Sequence, residues 1–375
     1  MTMPNVLYNG PGNWPDADKF MANYNYLENL ATGYTTFRNR IINGDMRIDQ
    51  RNEGASVTQT TGNLYPVDRW RMYGSVASKF TGQRNYSVTA PAGFSHHVGI
   101  NSLSAYSVGA SEVFTLSHAI EGNSVSDLAW GTSTAKTVTL SFWFRSNMAG
   151  GTVFGGALQN SATTRSYPFT FASITTSTWE YKTITIPGDQ TGTWLNDNGI
   201  GIILRFSLGC GTSLSGTPGA WLASDYRSAT GSASIVGTNA ATYFITGVQL
   251  ESGSVATPFE LLPMPTQLHL CQRYYEKSFP TGIVPGTASS NGAIYGSRQT
   301  GGFICSTNFR VLKNTTPTVI SYSIATGTSA KIRNTATPGD ETATISVSDG
   351  GVSVDGTTST VGHRMAYNYT AEAEI

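Results

Sequence analysis

The side chains that could do chemistry in this chain are few, and most of them are aromatic. Five histidines are present, and the one adjacent pair is His96 and His97. A metalloprotease helix needs two histidines at i and i+4 around a glutamate. Neighbours on a strand point to opposite faces, so this pair does not share an ion. No G-x-S-x-G elbow presents a serine nucleophile. Gly209 and Gly211 in LGCGTSLSG look like half of a phosphate loop. No lysine follows and no helix start is signalled, so a loop or bulge is expected there. Glycoside cleavage needs two carboxyl groups, roughly 5–5.5 Å apart for retention or 6.5–9.5 Å for inversion. The main β region carries Glu112, Glu121, Asp127, Glu180, Asp189, Asp197 and Asp225 in no recurring pattern. The expectation is therefore a protein that is not an enzyme.

Recognition suits these residues better. A sugar offers C–H faces that stack on aromatic rings, and hydroxyls that Asp, Asn, Gln or Arg can satisfy. Trp130 in LAWGTST, Trp194 in GTWLNDNG, and Trp221 with Asp225 and Tyr226 in GAWLASDYR lie among loop residues rather than in apolar alternation. Trp143 opposes the apolar face of its own strand. It packs under a second layer, meets another subunit, or is exposed. These residues form the candidate ligand-binding set, against the plainer reading of each as core or loop packing. Trp70 and Trp179 are expected in the core, while Tyr295 and Tyr322 offer a second, distal surface.

Composition narrows the classes of partner. Charged residues make up 12% of the chain, about half of the usual ~25%, and the formal net charge is zero. No basic cluster is available to neutralise phosphates, so nucleic acid is not an expected partner. No run of ~20 apolar residues marks a membrane-spanning helix. The start, MTMPNVLYNG, lacks the charged and apolar regions of a secretory signal. Cys210, Cys271 and Cys305 are odd in number and far apart, which suits buried free thiols in a chain made in a reducing cytoplasm. No cofactor is expected; whether a structural Ca²⁺ sits in a loop is not specified by the residues.

The elements that must position these groups are mostly strands. Aromatics at 11% argue against disorder despite the Gly, Ser and Thr runs. Thr137–Arg145 alternates, with Val138, Leu140, Phe142 and Phe144 on one face; Ile200–Leu208 follows the same rule, and 112–120 and 178–186 are further candidates. Turn residues between them and no intervening helical pattern predict an antiparallel sandwich over residues 37–260. Within 1–36, Pro15 and Asp16 start a helix whose stripe includes Phe20, Met21, Tyr24 and Leu27, which reads as an attachment or self-association surface. Residues 261–278 read as a helical connector, N-capped by Thr266, with Leu268, Cys271 and Tyr275 on one stripe that also suits attachment or oligomerisation. Residues 279–375 form a smaller, more polar β-domain. Its weak apolar content argues that sister chains complete its core.

Three stretches carry a resemblance. They are GVQLESGSVATPFELLPMPTQLHLCQRYYEK (247–277), NRIINGDMRIDQR (39–51) followed by Val67-Asp68-Arg69-Trp70, and AYNYTAEAEI at the end. They resemble bacteriophage tail-fibre and minor tail proteins. The resemblance implies a jelly-roll sandwich similar to carbohydrate-binding modules. It also implies a homotrimer in the virion tail, held to another virion protein through its N-terminal region and attaching to a host surface glycan or other receptor. A structural virion component (head fibre, decoration or tail adaptor) and a glycan depolymerase are the alternatives.

Overall fold

The computed structural model describes residues 37–299, 302–356 and 360–375. The expected N-terminal helix, with Phe20, Met21, Tyr24 and Leu27, lies outside them.

The first unit is built from β1 (Val57–Thr58), β2 (Leu64–Val67), β3 (Trp70–Gly74), β4 (Phe80–Arg84), β5 (Val98–Ser102), β6 (Val113–Glu121) and β7 (Val138–Ser146). It continues with β8 (Val153–Gln159), β9 (Ser166–Ala172), β10 (Glu180–Ile186), β11 (Ile200–Cys210), β12 (Ser215–Gly216), β13 (Ser228–Ala229) and β14 (Thr242–Ser252). Two six-stranded sheets face each other, ordered β1-β4-β5-β14-β7-β10 and β2-β3-β6-β11-β8-β9. All their pairings are antiparallel. This is the mostly-β antiparallel sandwich that the alternating segments predict, in the jelly-roll form that the resemblance implies. Phe142 and Phe144 of the first sheet meet Phe154, Phe171 and Phe206 of the second, with ring centroids 4.7–5.1 Å apart in the closest pairs. Gly209 marks a bulge where β11 slips against β6.

One departure from simple alternation matters for function. β11 is buried on both faces, although its outward residues are Ile203, Arg205 and Ser207. The segment carrying β12 and β13 and the end of the chain lie over that outer face, so polar groups there are roofed rather than solvated.

The connector differs from expectation. Its helix runs Met264–Gln272 with Pro263 at the N-cap, so Thr266 sits inside the first turn. Pro265 is tolerated there because first-turn N–H groups lack intrahelical partners anyway. The helix stops before Tyr275, which opens β15 (Tyr275–Lys277) and pairs with the last strand. Cys271 and Tyr275 are buried within the chain itself and Leu268 is half-buried. No described helix is long and apolar enough to cross a membrane.

The second unit adds β16 (Ile294–Gln299), β17 (Gly302–Ile304), β18 (Ser306–Asn308), β19 (Thr318–Ser323), β20 (Lys331–Asn334), β21 (Gly339–Val347), β22 (Gly351–Gly356) and β23 (Arg364–Glu372). β23 is its hub, pairing with β15, β16, β19 and β20. Cys305, Phe309, Ile332, Val352, Val354, Met365, Tyr367 and Tyr369 close a core within one chain. The polarity of this unit therefore does not by itself require sister chains, because Met365, Tyr367 and Tyr369 of β23 pack with Val352 and Val354 of β22 inside one chain.

Docking is ionic and buried. Arg69 pairs with Glu374 and lies 3.5 Å over the Tyr274 ring. Arg51 reaches Asp68 at 3.2 Å and Glu374 at 3.1 Å, and sits 3.8 Å over Tyr275. Glu121 accepts two hydrogen bonds from Arg273 and one from the Tyr274 hydroxyl. The three stretches 39–51 with 67–70, 247–277 and 366–375 meet at this joint: Trp70 donates to the Asn43 carbonyl, Gln50 to that of Tyr275, and Tyr275 pairs with Glu372.

Removing one partner of a buried pair leaves an uncompensated charge. Glu374→Gln is expected to cost about 3–5 kcal/mol in denaturant unfolding, with the second unit becoming susceptible to proteolysis. Burial pushes the Asp68 carboxyl up to about 6, with Arg51 and the Gln50 hydrogen bonds pulling it back only partly. A raised folded-state value means the group binds more protons folded than unfolded. Its contribution is thus full below about pH 4 and is lost as pH rises through about 6. Wild type should lose stability relative to Asp68→Asn across that window, read as the difference in thermal midpoints at each pH.

Candidate functional site

One end of the sandwich gathers the tryptophans that the sequence leaves scattered. Trp130, Trp194 and Trp221 form a triangle of edge-to-face contacts, with centroids 4.7, 5.2 and 5.4 Å apart. Tyr167 of β9 extends it, 5.3 Å from Trp221. Short turns place these rings. Ala129 is left-handed (φ 52°), ending the turn that carries Trp130. Gly131 (φ +87°) approaches the Gly192 carbonyl so closely that a Cβ would sit 2.7 Å from its oxygen. The loop after β10 is thereby clamped against the loop before β7.

The indole N–H groups are spent internally. Trp130 donates to the Lys136 carbonyl at 2.7 Å and Trp221 to that of Pro187 at 2.7 Å. Trp194 donates to Asp189 and to the Thr191 carbonyl, both at 3.2 Å. Asp189 is itself gripped by Arg165 through two bonds of 2.8 and 2.6 Å. A ligand here meets ring faces and edges rather than indole donors. Beside Trp130 and Trp194 lies a cavity of about 240 Å³, also lined by Ser126, Thr132, Leu195 and Asn196. Its size is below the ~300–1,000 Å³ of a drug-sized site and suits one small polar unit. An apolar wall with hydroxyl and amide groups in the same lining is an arrangement that suits a sugar ring.

The other candidates lie elsewhere. Asp225 is turned to the outer face of the second sheet, where it accepts from Gln159 at 2.8 Å and pairs with Arg227 at 2.7 Å. Burial works against its ionisation, but the Arg227 and Gln159 hydrogen bonds hold its carboxyl below the usual range. Tyr226 is half-buried and packs on Gly216. Neither is brought to the tryptophan cavity. Trp143 lies on the outer face of the first sheet, half-buried, 5.6 Å from the exposed Tyr181 and beside Phe94, which covers Gly247. It is thus partly under a second layer. Trp179 is not in the core: it lies over the same outer face, against His97 at 5.6 Å and Phe244 at 6.3 Å, and donates to the Thr89 carbonyl. Alternation already pairs Trp179 with the outward Tyr181, a signal that its apolar character hid. Trp70 is fully buried as expected. In the second unit Tyr295 is exposed, while Tyr322 is half-buried against Phe279 at 5.6 Å.

Tyr167 and Arg165, which shape the cluster, escaped sequence reasoning, and Asp189 entered it only as one of the scattered carboxylates, because their roles come from contacts across the sandwich end. The other carboxylates of the main unit are also engaged: Glu112 with Tyr106, Asp127 with Arg40, Glu180 with Lys182, and Asp197 with the Gly199 N–H. Among the described residues, no group of three or more His, Cys, Asp or Glu stands where it could hold a metal ion.

No protein-family model matches the chain, and no curated protein is similar to it in sequence. Among solved structures it is similar to the enzymatically active domain of tailspike protein 4 of bacteriophage CBA120, at 9% identity and TM-score 0.30, over 58% of this chain and 22% of that one. A putative sugar-binding protein from Bacteroides thetaiotaomicron matches at 11% identity and TM-score 0.34, over 57% of this chain and all of that one (100%). The carbohydrate-binding module TmCBM61, solved with β-1,4-galactotriose, matches at 14% identity and TM-score 0.27, over 58% of this chain and 99% of that one.

Proposed function

We propose that this chain is a glycan-binding attachment protein of a phage virion, a homotrimeric tail fibre whose sandwich reads a host surface saccharide without cleaving it. The observation that carries the binding half is the cavity beside Trp130 and Trp194, with ring surface for a sugar's C–H face and Ser126, Thr132 and Asn196 in its lining. The virion half rests on the resemblance of the three stretches that meet at the joint, and the trimer on the fibre reading. Binding without catalysis is supported by the engagement of the main unit's carboxylates in ion pairs and hydrogen bonds of their own. Anchoring to another virion protein falls to residues 1–36 in this proposal.

A structural role in the virion is the second reading, and one observation favours it. The indole donors are all satisfied within the fold, as a packing plug would need. A glycan array probed with the full chain separates the two. Binding should appear, and Trp194→Ala should weaken it by about 2 kcal/mol, as for a central aromatic anchor, whereas Trp143→Ala should leave it unchanged. Absence of any glycan binding by wild type overturns the recognition reading. Light scattering should give three times the chain mass, and a monomer overturns the fibre.

A further inference from the structure

The outer face of the second sheet holds charge that the fold does not compensate. Register aligns Arg71 of β3, Ser117 of β6 and Arg205 of β11 in one row across the sheet. Arg205 is only 5% exposed. Its Nε donates to Gln159 Oε1, and this is its one hydrogen bond to the described residues. Gln159 then passes its amide to Asp225, which Arg227 already holds. Among the described residues, the one side-chain hydrogen bond of Arg71 runs from its Nε to Ser117 Oγ, at 3.4 Å. Among the described residues, no carboxylate lies within ion-pairing distance of Arg71 or Arg205, whereas Arg69 and Arg51 share Glu374.

Both unpaired guanidiniums line a cavity of about 160 Å³, together with Ser117, Ser161, Thr163 and the Arg69–Glu374 pair. Burial, with Arg71 and Arg227 adding to it, pushes Arg205 down to about 9, so it stays cationic near neutrality at a cost to the empty fold. A guanidinium in a cavity wall, with no carboxylate paired to it among the described residues, suits a planar or tetrahedral oxyanion.

We propose that Arg71 and Arg205 bind the carboxylate of an acidic saccharide, a uronate, with the Ser117, Ser161 and Thr163 hydroxyls completing its coordination. Only the source of the anion rests on the glycan reading. The pocket is separate from the tryptophan cavity: β11 contributes Ile200 and Ile203 to this pocket and Ile202 to the other.

The full chain is titrated with glucuronate, sulfate and glucose at constant ionic strength, followed by calorimetry and by the thermal midpoint. Glucuronate and sulfate should bind saturably and raise the midpoint, with glucose silent at this site. Arg71→Gln and Arg205→Met should each weaken glucuronate at least about tenfold, the loss of a charge-assisted hydrogen bond, while Trp194→Ala keeps it. Arg205→Met should fold with an anion-free midpoint at or above wild type, because it removes an uncompensated buried charge. If Arg205→Met fails to fold, Arg71→Gln alone decides. No saturable glucuronate binding by wild type, sulfate binding without glucuronate, or full affinity in Arg71→Gln overturns the proposal. Glucuronate binding alongside a blank neutral-glycan array would remove the tryptophan reading and leave this site standing.

Discussion

Two buried guanidiniums, Arg51 and Arg69, hold the two β-units in register. Neither can stay charged away from water without a carboxylate, and Glu374 serves both while Asp68 serves Arg51. Their flat faces lie on Tyr274 and Tyr275, so cation–π contact and ion pairing act on the same groups. A joint of this kind adds little net stability over an apolar one, but it tolerates only one arrangement. Sliding β23 by a single residue would strand the charges. The segment Tyr274–Lys277, which follows the helix, is therefore fixed between Gln50 on one side and Glu372 on the other.

That joint explains why residues so far apart in sequence carry one resemblance. Asn39 donates to the Val248 carbonyl, Trp70 to that of Asn43, and β15 pairs with β23. The opening stretch, the connector and the chain's last strand are one structural object. The sandwich hangs from it with its tryptophan-bearing end built by separate loops. Those loops are locked by the Gly131–Gly192 approach and by the Arg165–Asp189 pair, so the cavity beside Trp194 is preformed. The joint also roofs part of the second sheet, and under that roof Arg205 is held by Gln159 with no carboxylate at ion-pairing distance among the described residues.

Much of the fold was legible because strand period is local. Val138–Phe144 and Ile200–Leu208 alternate, and both became interior strands of a sandwich. The connector was misjudged at both ends for local reasons of a different kind. A proline in a first turn costs almost nothing, and a helix stops early when its next residues gain a strand partner. The polarity of the C-terminal unit suggested that one chain could not fill its core. It missed that β23 is buried along most of its length and draws on four partners at once.

For the sites, residue type alone singled out Trp130, Trp194 and Trp221, because bulky indoles set among Gly, Asn and Thr depart from apolar periodicity. Their convergence and the exclusion of Asp225 and Tyr226 from that cavity were decided by loop closure across the sandwich end, whereas the outward placement of Trp179 follows its alternation with Tyr181. Arg71 and Arg205 look in sequence like ordinary outward strand residues. Only the folded chain, by laying other segments over that face, buries Arg205 and leaves Arg71 half-covered beside it, since burial depends on what covers a face and period two says only which face it is.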